Sequence, residues 1–70
     1  MRDLSKVRAG LYRLNLKSGD CVRIQLERPY PHTQWLVTHR GPALRQRLFT
    51  SLMKAWTYAN ELANQLEHSN

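Results

Sequence analysis

The sequence predicts an α+β domain, an antiparallel meander of three to four strands with one long C-terminal amphipathic helix packed on one face. Three observations predict it. Apolar and polar residues alternate in two runs between residues 11 and 27, a turn signal separates those runs, and after residue 50 the apolar spacing lengthens to that of a helix. The chain is 70 residues long, which allows one domain. A chain of that size buries only about 60% of the surface its unfolded form exposes, so a single core has to carry it.

Residues 1–10 (MRDLSKVRAG) are polar and mixed in charge, with Leu4 and Val7 as their large aliphatic side chains. Six to eight residues cannot hold a helix alone, and the segment reads as a loosely docked N-terminal arm ending at Gly10; the domain proper is 11–70. From Leu11 the period is two. Tyr12, Leu14 and Leu16 alternate with Arg13 and Asn15, and Val22, Ile24 and Leu26 alternate with Arg23, Gln25 and Glu27. Between them lies Lys17-Ser18-Gly19-Asp20. Residues directly opposite in an antiparallel pair share a face, so two even-numbered apolar sets require partner numbers that sum to an even total. A two-residue Ser18-Gly19 loop would set Leu14 against Arg23. A three-residue loop, Lys17-Ser18-Gly19, pairs Leu14 with Val22 and Tyr12 with Ile24, and puts Gly19 at the left-handed position of a type I turn with a G1 bulge. The bulged hairpin is the better solution.

Arg28-Pro29-Tyr30-Pro31-His32 interrupts the pattern, since two prolines one residue apart exclude a central strand. Residues 34–40 form the third strand, with Trp35, Val37 and His39 on one side and Leu36 an apolar exception on the other. Gly41-Pro42 is a second turn. Residues 43–49 can form a fourth strand with Arg45 and Arg47 on one face and Leu44 and Leu48 on the other. Thr50 or Ser51 supplies a helix N-cap. Leu52, Ala55, Trp56, Ala59, Leu62, Ala63 and Leu66 then recur along one helical stripe. Each large member contributes roughly 1.5–3 kcal/mol when fully buried.

Charge is asymmetric. Residues 1–50 hold ten Lys/Arg against three Asp/Glu, whereas residues 51–70 hold one against two. With the helix on the apolar face, Arg13, Arg23, Arg45 and Arg47, with Arg40, are expected on the open face of the sheet. Guanidinium forks there suit phosphate oxygens and guanine edges. Tyr12 and Trp35 fall in the core phase, which favours duplex DNA over single-strand stacking or RNA. The plainer explanation is a half-buried sheet carrying ordinary solvating arginines. The reading preferred is a small basic nucleic-acid-binding accessory or regulatory protein. The alternative is a protein-protein interaction module that regulates or inhibits a partner, of bacterial, plasmid or phage origin. Tyr30, Met53 and Tyr58 are its candidate partner or dimer contacts, and an open strand edge is a second route to a homodimer.

Strand, turn, strand and an aromatic-Thr/Ser entry into an Ala-rich helix, here Trp35-Leu36-Val37 followed by Arg47-Leu48-Phe49-Thr50-Ser51-Leu52-Met53-Lys54-Ala55-Trp56, resembles the small arm-type DNA-binding domains at the N-terminus of tyrosine integrases. It is also similar to short bacterial domains of unknown function with the same order. The resemblance spans residues 11–66 at most and implies that the open sheet face enters the major groove. That role falls on Arg13, Arg23, Arg45 and Arg47, with Arg2, Lys6 and Arg8 alongside. The chain departs from those domains in having a fourth strand and no recombinase domain.

Catalytic and metal chemistry have little to stand on. His32, His39 and His68 are far apart in sequence, and Cys21 is the one cysteine, so no ligand set with metal spacing is offered. Cys21 reads as a small semi-buried thiol, His39 as a sheet-face residue and His68 as a frayed helix end. Gly10, Gly19 and Gly41 are isolated turn formers rather than a phosphate loop. Neither an enzyme nor a cofactor is expected. The longest apolar run, Trp35-Leu36-Val37, is too short for a bilayer, no signal peptide is recognisable, and a lone Cys suits a reducing cytoplasm.

Overall fold

Alternation at period two carries the chain through five strands before the helix. The computed structural model describes residues 4–41 and 44–68. β1 (Leu4–Arg8), β2 (Leu11–Asn15), β3 (Cys21–Arg28), β4 (Gln34–His39) and β5 (Arg45–Phe49) precede α1 (Leu52–His68). The strands form one antiparallel sheet in the order β1-β2-β3-β4-β5. The α+β class is as predicted, but the sheet has five strands rather than three to four.

The added strand is the segment read as an arm. Leu4 pairs with Leu14, Ser5 with Arg13 and Lys6 with Tyr12, after which the register shifts and Arg8 meets Leu11. Leu4 and Val7 alone make a poor local strand signal. The segment becomes a strand because β2 presents it a ladder, a long-range cause that local pattern does not contain. Arg2 lies outside the described residues, as do Pro42 and Ala43 of the predicted second turn and fourth strand.

The β2–β3 hairpin has the predicted register, with Tyr12 opposite Ile24 and Leu14 opposite Val22. The Leu16 N–H donates to the Asp20 carbonyl at 2.9 Å, and the Gly19 N–H donates to the Leu16 carbonyl at 3.1 Å. Gly19 has φ +91°, a left-handed conformation that glycine adopts without a Cβ penalty.

Leu14, Val22, Ile24 and Val37 are fully buried on the helix side of the sheet, and Ala55, Ala59 and Ala63 meet them from α1. Those three alanines recur every fourth residue, so one stripe of the helix presents only methyl groups and its axis can approach the strands closely. Leu16 and Leu62 complete the buried set, and Leu52, Trp56 and Leu66 pack at its margin. The Ser51 Oγ accepts from the Lys54 N–H at 3.2 Å, which makes Ser51 the N-cap. At the other end, Glu67 Oε2 accepts from the Lys17 N–H at 2.8 Å and ties the helix to the β2–β3 turn.

His39 ends β4 buried at 4% exposure, on the same side as the core. Its Nε2 lies 3.0 Å from Asp20 Oδ2, and a Cβ built on Gly41 would sit 2.8 Å from its Cε1. Gly41→Ala should therefore displace a buried ring, at a cost of about 1–3 kcal/mol. Thermal melting checks this, and a Tm equal to that of the parent would contradict the placement of the ring under Gly41.

Asp20 is held below its ordinary value of 3.8, first by the Cys21 N–H and then by His39. The Cys21 N–H reaches Oδ1 at 2.9 Å. A carboxyl depressed in the folded state contributes stability above its unfolded value and loses it as pH falls through its folded value. Asp20→Asn should therefore lower stability at neutral pH and flatten the loss of stability below about pH 3.8. Parallel acid-unfolding curves for parent and variant would contradict this.

Candidate nucleic-acid interface

The face away from α1 is built by the alternate residues of each strand. Register places Ser5, Arg13, Arg23, Thr38 and Gln46 in one row across all five strands. Leu11, Gln25, Leu36 and Leu48 form the neighbouring row, with Arg8 meeting Leu11 at its β1 end. One row is therefore basic and polar, and the other is mostly aliphatic. Leu36, the exception in its strand pattern, belongs to the aliphatic row and faces Leu48.

Arg13 and Arg23 stand directly opposite each other across β2 and β3, and both are exposed. Like charges in that position repel. Among the described residues, no acidic side chain lies within ion-pair distance of either. Arg40 joins them at the end of β4, where it lines a shallow concavity of about 280 Å³ with Arg23, Gln25, Thr38 and Gln46, and with Asp20 as its acidic member. Cys21, a free half-buried thiol, also lines it. The open face thus carries cations beside amide and hydroxyl groups, able to accept an anion and to donate to neighbouring acceptors.

Two arginines expected on this face are on the other. Arg45 pairs with His39 and Arg47 with Val37, so both share the helix side, while Leu48 shares the open side with Leu36. Alternation was read correctly within β5, but its two faces were exchanged. The physical reason is visible at Arg47. Its guanidinium carbon lies 5.5 Å from the Phe49 ring centroid and 5.4 Å from that of Tyr58, within cation–π range. Phe49 and Tyr58 themselves meet at 5.2 Å. At an edge strand a cation over two rings satisfies the helix side, and Leu44 and Leu48 remain 60% and 52% exposed.

Of the expected partner contacts, Met53 and Tyr58 border one shallow surface with Arg47 and Phe49. Met53 is 73% exposed. Tyr30 projects from the β3–β4 loop at 88% exposure, followed by a cis peptide bond to Pro31, and no described contact joins it to the other two. Arg8 is the member of the open face that sequence reasoning left on an arm. Its signal was the alternation of Leu4 and Lys6 with Ser5, too short to read without the partner strand.

No helix among the described residues is long and apolar enough to cross a membrane, and no group of three or more metal-ligating side chains gathers among them. Comparison with protein-family models, curated proteins and solved structures yields no match.

Proposed function

We propose that this chain is a small nucleic-acid-binding accessory protein that lays the open face of its sheet on duplex DNA. The observation that carries the reading is the Arg13–Arg23 pair, without an ion-pair partner among the described residues, on the face that α1 leaves uncovered. Arg8 and Arg40 extend the cationic set across β1 to β4, a width of about three strand spacings of ~4.8 Å each. That compares with a major groove about 12 Å wide, so the central hairpin faces the groove and its neighbours face the flanking phosphates. A duplex is favoured over a single strand because Tyr12, Trp35 and Phe49 all lie on the helix side. Among the described strand residues, none on the open face offers an aromatic ring to an unstacked base.

The test is a gel-shift series against duplex DNA, single-stranded DNA and RNA at two salt concentrations. Four arginines neutralising phosphates give a slope of log K against log salt near −3 to −4. Salt-insensitive affinity, or no duplex binding at low salt, overturns the reading.

The interaction-module reading draws on the exposed Met53 beside Arg47, Phe49 and Tyr58. It expects Met53→Ala and Tyr58→Ala to abolish capture of a protein partner while Arg23→Ala leaves capture intact. The opposite ranking rules it out.

A further inference from the structure

The two edges of the sheet are not equivalent. β1 carries a register shift between Lys6 and Arg8, and a bulge of this kind twists an edge away from further pairing. β5 runs against β4 with unbroken register over all five residues, and Arg45, Gln46, Arg47 and Leu48 are all exposed. Among the described residues no strand lies beside the main-chain N–H and C=O groups of its outer side. β5 is therefore the edge built to accept a sixth strand.

The side chains say which strand. Arg45 and Arg47 flank that edge on the helix side, and Gln46 and Leu48 flank it on the open side. Lys54 adds a positive charge to the shallow surface beside Arg47, with Glu61 the acidic group there. A strand laid along β5 sets alternate residues against the arginines and the others against Leu48. Acidic residues at one parity and aliphatic residues at the other satisfy both sides.

A second copy of the chain fits less well. An antiparallel two-fold pairing of β5 with itself keeps both helices on one side of the extended sheet. In the register that overlaps all five residues of β5, Arg47 opposes Arg47, and like charges directly opposite repel. The same arithmetic weighs against a fully overlapping β5–β5 homodimer.

We propose that the β5 edge binds an extended acidic peptide by strand addition, with alternating acidic and aliphatic side chains, the acids facing Arg45 and Arg47. This inference does not depend on the DNA reading, which concerns the open face, where Arg13 and Arg23 share one row.

The probe is a seven-residue capped peptide alternating glutamate with valine, titrated into the isotope-labelled full chain and followed by amide chemical shifts. The expected result is saturable shifts centred on residues 45–49. Replacing glutamate by lysine abolishes them. Methylating the peptide's edge-facing amides weakens binding by at least about tenfold, as the loss of two or more main-chain hydrogen bonds requires. The Arg45→Glu/Arg47→Glu variant reverses the preference and takes the lysine peptide. Because Arg47 also packs on rings, Arg45→Glu alone repeats the test if the double variant is unfolded. Shifts centred on β1 or on Arg13 and Arg23, affinity indifferent to amide methylation, or no binding of the glutamate peptide overturns the proposal.

Discussion

Arg23→Glu should weaken duplex-DNA binding by about tenfold to a hundredfold at low salt, roughly 1.4–2.8 kcal/mol, while making the folded protein more stable. Both effects follow from one geometric fact, that Arg23 faces Arg13 across the β2–β3 ladder and neither forms an ion pair among the described residues. In the free protein the two guanidinium groups repel, and replacing one with a carboxylate turns that repulsion into attraction. A cross-strand pair is worth about 0.2–1 kcal/mol. On DNA the same substitution removes one cation from the phosphate field and adds an anion, so affinity falls and the salt slope shrinks by about two phosphate contacts. Arg23→Ala isolates the first half of this effect and should reduce the slope by about one. Thermal melting and a salt-titrated gel shift on the same preparations measure both signs. If binding and melting temperature fall together, the arginine is structural and the functional assignment fails.

Leu14→Ala should remove much of the stability of the whole domain. Leu14 is fully buried at the centre of the core formed by β2, β3, β4 and α1, and Leu→Ala at such sites costs about 2–5 kcal/mol. A domain of this length has about 3.5–10 kcal/mol in total at typical per-residue stability. The variant is therefore expected to show a large drop in urea midpoint or no folded baseline at room temperature. Leu48→Ala is the internal comparison. Leu48 is 52% exposed on the open face, so its loss should change stability by no more than about 0.5 kcal/mol. Equal costs for the two leucines would mean that β5 faces the other way, returning Arg45 and Arg47 to the open side.

The β2–β3 register was legible because two constraints met in one hairpin. Even-numbered apolar positions on both strands demanded an even sum, and Gly19 supplied the left-handed residue that only one loop length needs. The helix stripe was legible for a similar reason, since Ala55, Ala59 and Ala63 repeat with nothing to interrupt them. β1 was illegible because Leu4–Arg8 has little apolar content of its own and owes its conformation to β2. The candidate site was accordingly half visible. Arg13 and Arg23 could be placed from their own hairpin, and Arg40 followed from β4. Arg8 could not be placed without β1, and Arg45 and Arg47 were placed on the wrong side.

That last error marks the boundary between the two kinds of information. Period, parity and turn chemistry established the α+β order, the central hairpin and the pairs of residues that share a side, because each is governed by neighbours within a few positions along the chain. Which side of β5 the helix covers is a long-range choice. It depends on Arg47 resting over Phe49 and Tyr58, rings contributed by a strand and a helix that meet only when the domain closes. Alternation sorts an edge strand into two sets without ranking them, and packing decides which set the helix meets.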